Sequence, residues 1–229
     1  SPEGPPTKAG TFLADDLGGL HGAIGAMAAL RHRDQTGEGQ HVDIALQDAM
    51  LFQSDGLPTL GALGIEPTRM GNEFGFAAPA NVYDCTDGAV YLGVLLDDHW
   101  KILAPIIGEP ELAEHPTFAT RDERAANRDV CNMMVSEWAK QLPREQVLKT
   151  LQAAGLPAAP VNTFPEAAKD PHVQERDMLQ PVEFTNGVTM PITGPAAKFS
   201  RTPTKIRSAA PDIGQHNEEI LTGLDMKTD

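Results

Sequence analysis

Three residues suited to proton chemistry stand side by side. Asp97, Asp98 and His99 lie where the apolar run Val90 to Leu95 hands over to a helical pattern. A carboxylate beside an imidazole at such an edge can take and return a proton. The plainer alternative gives Asp97 or Asp98 to helix capping and leaves His99 solvated. Cys85 falls on a predicted strand, where a thiol is more often a small packed side chain than a nucleophile. Arg121, Glu123, Arg124 and Arg128 read as a solvated, salt-bridged helix face, as do Glu218 and Glu219. The seven histidines are scattered at positions 21, 32, 41, 99, 115, 172 and 216, without HExxH or CxxC, so no metal site is expected. Gly37-Glu38-Gly39 precedes a strand pattern instead of following one, which makes it a turn and not a dinucleotide fingerprint. No P-loop and no GxSxG elbow occur. No catalytic constellation is complete from spacing alone.

Composition narrows the partners. The 229 residues carry 18 Lys plus Arg against 32 Asp plus Glu, a net charge of −14. That acidity argues against nucleic acid and against an anionic membrane surface as partners. A hydrophobic fraction of 41% with 22% charged residues fits a globular chain able to bury a core. No run approaches the ~18 apolar residues of a membrane span. Ser1 to Gly10 is polar and rich in Pro and Gly, with no signal-peptide pattern. With no Met at its start, the chain reads as the interior of something longer. Its two cysteines, Cys85 and Cys131, form no disulfide framework, so a reducing cytoplasm is the expected compartment.

The elements that would position these residues follow from periodicity. Residues 1–11 read as a linker. Leu17, Leu20, Ile24, Met27 and Leu30 predict a helix from about Asp15 to Arg33. Gly18, Gly19, Gly22 and Gly25 inside it suggest close approach of another backbone, since each costs roughly 1 kcal/mol of propensity. His41 to Leu46 alternates like a strand, Gln47 to Ser54 reads as a helix, and 55–80 as mostly loop. Asp87-Gly88 and Asn186-Gly187 mark hairpins. Helices are predicted from Asp97 to about Ile107, over Arg121–Gln141 and Arg144–Ala154, from Pro171 to Met178, and from Gln215 to Leu224. Ala159 to Val161 reads as a short buried strand, and 194–212 as Pro-rich coil.

The run from Asp16-Leu17-Gly18-Gly19-Leu20-His21-Gly22 to Arg33, then Thr36-Gly37-Glu38-Gly39-Gln40-His41-Val42-Asp43, resembles the class III CoA-transferase family, the CaiB/BaiF family. Further blocks agree in family order: Gly71-Asn72 before Ala78-Pro79, Thr86-Asp87-Gly88 leading to Trp100, and His115-Pro116-Thr117-Phe118 with Arg124 and Asn127-Arg128. Gly155-Leu156-Pro157, Asp170-Pro171-His172-Val173, Gly194-Pro195, and Pro211 to Leu221 complete the set. The resemblance covers nearly the whole chain.

It implies an α/β fold made of part of a Rossmann-like large domain plus a smaller α+β domain. Residues 1–70 would be the C-terminal part of the large-domain core with its linker, 71–165 the small domain, and 166–229 the segment returning to the large domain. The implied reaction moves coenzyme A from an acyl-CoA to a carboxylic acid through an aspartyl-CoA thioester. CoA would be a substrate thioester, and no tightly bound cofactor is implied. The family's nucleophilic Asp precedes the segment matching Gly4 to Gly10, so this chain is expected to be a C-terminal portion, inactive alone and with no catalytic residue of its own. Gly71, Asn72 and Gly75 on the loop to Ala77, together with Asp97, are the expected substrate-binding residues. Only Gly75 stands where formyl-CoA-transferase-like members have a glycine run, which weakens a formyl or oxalyl assignment. Asp97 is also the nearest counterpart of an acid in the α-methylacyl-CoA racemases of the same fold, so that isomerase is one alternative. A non-catalytic subunit of a split transferase is another. The resemblance implies an intertwined homodimer or a partner chain carrying the N-terminal half, and the 229 residues alone are expected to aggregate or to need that partner.

Overall fold

The computed structural model describes residues 3–222. Helix α1 (Leu13–Thr36) stops at Gly37, whose φ of 81° is the left-handed conformation that terminates helices most readily at glycine. Helix α2 (Leu46–Phe52) lies against α1, as do Val42 and Ile44 before it. Leu46 sits over Gly18, and Val42 Cγ1 is 2.8 Å from where a Cβ on Gly25 would stand. Two of the four helix glycines therefore admit side-chain tips, not a backbone, while Gly19 and Gly22 face open space. The strand expected over His41–Leu46 does not form. Residues 41–45 are irregular and Leu46 already opens α2; among the described residues no strand pairs with them, and a period of two without a partner makes no ladder. Leu20, Ile24 and Met27 on α1 are 59–62% exposed.

A short helix α3 (Leu57–Ala62), with Pro58 in its first turn, interrupts the stretch expected to be loop. Strands β1 (Ala80–Cys85), β2 (Gly88–Gly93) and β3 (Ala158–Val161) form an antiparallel sheet in the order β1-β2-β3. The Asp87-Gly88 signal is met, with Cys85 opposite Gly88. β3 is an edge strand and half-exposed, not buried as expected, which suits Pro160 because an edge residue need not donate on its outer side.

Between β2 and β3 come α4 (Asp97–Ile106), a 3-10 turn at Pro110–Ala113, α5 (Arg121–Ala126), α6 (Arg128–Ala139) and α7 (Arg144–Ala153). The core sits here. Tyr83, Val90 and Leu92 from the sheet meet Trp100 and Leu103 of α4, Cys131, Val135 and Ala139 of α6, and Val147 and Leu151 of α7. The i, i+4 spacing on α6 and α7 puts each set on one helix face. The single helix expected over Arg121–Gln141 is broken at Asn127. Its side-chain amide donates to Glu123 O at 2.9 Å, competing for the carbonyl that the backbone N–H also uses at 3.0 Å.

Beyond β3 the chain forms α8 (Phe164–Ala168) and α9 (Pro171–Glu175), both short, with Thr163 and Asp170 as side-chain caps. A hairpin follows, β4 (Leu179–Glu183) with β5 (Thr189–Thr193), turning at Asn186-Gly187. Helix α10 (Asn217–Thr222) is last; residues 223 and 224 of the expected helix lie outside the described residues.

The expectation of a solvated Arg124 is overturned. The side chain is fully buried. Nε donates to Ala78 O at 2.9 Å, Nη1 to Phe118 O at 2.9 Å and Ala119 O at 3.2 Å, and Nη2 to Asp97 Oδ1 at 2.9 Å. The guanidinium carbon stands 5.7 Å from the Trp100 ring centroid, within cation–π range. The planar fork satisfies three carbonyls and one carboxylate at once, which a lysine cannot do.

Replacing Arg124 by Met orphans those acceptors. Urea unfolding is expected to show a loss of about 3–5 kcal/mol. Asp97→Asn, at the half-exposed end of the pair, is expected to cost about 1 kcal/mol or less; equal losses would contradict the weight given to the carbonyls. A second prediction concerns pH. The Arg144 guanidinium, bonded to Glu166 at 2.7 Å, and after it the N–H and O–H of Thr163 hold the Glu166 carboxyl well below its ordinary 4.5, at about 2. The unfolded chain therefore takes up this proton first. Glu166 contributes stability in full above about pH 4.5 and loses it as pH falls toward 2. Glu166→Gln is expected to flatten that part of the stability-against-pH curve, and an unchanged slope would refute the assignment.

Candidate functional site

The loop from Gly71 to Ala77 reverses the chain just ahead of β1. Gly71 has φ 65°, which glycine adopts without strain. Phe74 and Ala77 form an antiparallel bridge, so the loop tip closes on itself. Gly75 lies at that tip, and a Cβ there would come 3.3 Å from Met70 Sδ. Gly71, Asn72, Phe74, Gly75 and Phe76 are all exposed. The two phenyl rings flank Gly75 with centroids 5.6 Å apart.

Glu73, in the middle of this exposed loop, points back to the body of the protein. Its Oε1 accepts from Asn132 Nδ2 at 2.9 Å and from Asn81 Nδ2 at 3.2 Å. Tyr83 donates its O–H to Asn132 Oδ1 at 2.6 Å. Burial raises the Tyr83 phenol far above its ordinary range, so it stays a donor. Two further contacts hold the loop's ends. Arg128 Nη1 lies 3.5 Å from Met70 Sδ, and Arg124 holds Ala78 O. Positions 124, 128 and 132 are four apart, so one stripe running across the α5–α6 break grips the loop three times. The expectation of a solvated Arg121-to-Arg128 face fails here too, because Arg128 is half-buried.

Asp97 opens α4 but does not cap it. The N-cap is Leu96, without a side-chain cap bond, and the Asp97 carboxylate turns to Arg124 instead. About half of the Asp97 side chain remains exposed. Asp98 is exposed, and the Nδ1 of half-buried His99 is buried without a hydrogen-bond partner. The structure thus ties Asp97 and the end of the Gly71–Ala77 loop to one guanidinium. The loop presents two glycines to solvent, where backbone N–H groups can meet developing negative charge. The thiols are poor nucleophiles: burial pushes Cys131 up to about 11 and also raises Cys85. Among the described residues no three His, Cys, Asp or Glu side chains gather as a metal site would require.

Sequence reasoning proposed Gly71, Asn72, Gly75 and Asp97 for the site but missed Glu73, Asn81, Tyr83, Arg124, Arg128 and Asn132 as the residues that anchor this loop and Asp97. The one available signal was the four-residue spacing of 124, 128 and 132 on polar residues inside an otherwise core-forming pattern.

The sequence model of "CoA-transferase family III" matches residues 1–217. The succinyl-CoA–L-malate CoA-transferase beta subunit of Chloroflexus aurantiacus is 36% identical over 225 residues, covering 96% of this chain and 56% of that protein. The succinyl-CoA:mesaconate CoA-transferase of Haloarcula marismortui is 33% identical over 99% of this chain and 57% of its own length. The crystal structure of a CaiB/BaiF family protein from Brucella suis superposes with a TM-score of 0.76 at 33% identity, covering 98% of this chain and 58% of that one. A Mycobacterium tuberculosis structure shares the fold with a TM-score of 0.80 at 22% identity, covering 95% of this chain and 56% of that one. The chain spans a little over half the length of the curated relatives it matches. On its sequence and its α/β fold together, this chain belongs to CoA-transferase family III, the CaiB/BaiF family.

Proposed function

We propose that this chain is the C-terminal portion of an enzyme that moves coenzyme A from an acyl-CoA to a free carboxylic acid. The family match over residues 1–217 carries this reading. An Asp of the N-terminal half attacks the donor thioester, giving a mixed anhydride and the CoA thiolate. The thiolate attacks the aspartyl carbonyl, forms the aspartyl-CoA thioester and frees the donor acid. The acceptor carboxylate then displaces the CoA thiolate to give a second mixed anhydride, and the thiolate attacks the acceptor's acyl carbon and releases the Asp carboxylate. In this scheme the Gly71–Ala77 loop lines the acyl pocket, with Gly71, Asn72 and Gly75 as binding residues and their backbone N–H groups turned to the oxyanions. Relatives named for succinyl-CoA and a dicarboxylic acid make a short dicarboxylyl-CoA the favoured donor.

Asp97 is a substrate-side residue in this reading, held in place by Arg124. Asp97 does not itself separate the transferase from an α-methylacyl-CoA racemase; the relatives named as CoA-transferases favour the transferase. Residues 1–70 belong to the large domain, 71–165 to the small one and 166–229 to the returning segment. The uncovered apolar residues Leu20, Ile24 and Met27 support a partner surface, supplied by the N-terminal half within an intertwined homodimer or on a separate chain. Two unpaired thiols support a reducing cytoplasm as the setting.

The assay uses the whole enzyme containing this chain, with succinyl-CoA as donor. Formation of a new acyl-CoA only when a second carboxylic acid is added is expected. Deuterium entering the α-carbon of a 2-methylacyl-CoA from solvent, with no acceptor acid present, would replace the transferase by the racemase.

A further inference from the structure

We infer that Glu73 is a positioning residue: it tethers the exposed loop Gly71–Ala77 to β1 and α6 and so sets how closely the loop covers the acyl pocket. The inference rests on the transferase reading of that loop. Its physical basis is independent of the reading. Five of the seven loop residues are exposed, two of them glycines, so the loop has little apolar burial to hold it. The other two are Ala77, buried at the loop's end, and the half-buried Glu73. One oxygen of its carboxylate takes two amide N–H groups, from Asn81 and Asn132, and bonds to a charged acceptor are about twice as strong as neutral ones. Asn132 is itself buried and oriented by the Tyr83 hydroxyl, which occupies its oxygen and fixes its nitrogen toward Glu73. The tether is thus a directed chain of hydrogen bonds in which Tyr83 donates to Asn132 and Asn132 donates to Glu73.

A loop so placed divides an acyl intermediate between two fates. The acceptor carboxylate can attack the aspartyl-CoA thioester and end carrying the CoA, or water can attack it. In the second case the water oxygen bonds to the acyl carbon, the C–S bond breaks, and the thiol leaves with the proton. Glu73 touches neither route chemically and acts only through the loop.

Glu73→Ala and Glu73→Gln, prepared in the whole enzyme, test this with two readouts. Hydrogen exchange of the amides of residues 71–77 is expected to speed up about tenfold or more in Glu73→Ala, with exchange in α6 unchanged. Glu73→Gln keeps an acceptor oxygen and is expected to restore part of the protection. The ratio of acceptor-dependent transfer to donor hydrolysis is expected to fall in the same order. Unchanged exchange in Glu73→Ala overturns the inference. Faster exchange with an unchanged ratio upholds the tether and overturns the pocket reading on which its catalytic role rests.

Discussion

Arg124 places one guanidinium, with no exposed side-chain surface, inside the half of the chain that holds the core. A buried charge is costly unless every group around it answers it. Here four of its five N–H groups are answered: Nε by Ala78, Nη1 twice by Phe118 and Ala119, and Nη2 by Asp97. Those partners come from three separate pieces of chain: the lead into β1, the turn before α5, and the first residue of α4. The requirement to satisfy one cation therefore fixes three backbone segments relative to each other. Trp100, which packs beside the guanidinium and donates to Leu112 O at 2.9 Å, carries the same constraint into the apolar core.

The proposed site is built on that constraint. The loop from Gly71 to Ala77 ends at Ala78, and Asp97 begins α4; both are set by Arg124. A mobile surface loop becomes useful for chemistry when its ends are rigid and its tip is free. The α5–α6 stripe provides the rigid ends and a tether in the middle, while Gly75 and the two phenyl rings stay exposed at the tip. Helix α1 contributes in the opposite way. Its glycine side accepts Leu46 and Val42, whereas Leu20, Ile24 and Met27 have no cover, which suits an element shared with the rest of a larger enzyme.

Elements whose stability is local were legible in the sequence. Asp87-Gly88 and Asn186-Gly187 produced the hairpins they predict, and the apolar spacing on α4, α6 and α7 produced helices facing one core. The ordered motifs carried the family, and with it the loop. What escaped was set by tertiary contacts. Alternation over His41–Leu46 predicts a strand, but a strand needs a neighbour, and α1 took that place. Arg124 reads as a surface charge because its partners are mainly carbonyls, which every residue has and no residue type announces. Asn81 and Asn132 lie 8 and 59 positions from Glu73, with no pattern linking them. The cap expected from Asp97 failed for the same reason, since a buried cation outcompetes a helix end for a carboxylate, and Asp98 makes no cap bond either.

The central claim is that Arg124 binds its three segments into one cooperative unit. Native-state hydrogen exchange of the whole enzyme containing this chain tests it at three amides: Val94, bonded to Pro79 O; Trp100, bonded to Leu96 O; and Ala119, bonded to His115 O. All three are expected to open with one common free energy, equal to that of global unfolding. Independent opening of Ala119 or Trp100 at a lower free energy, while Val94 stays protected, would contradict the account.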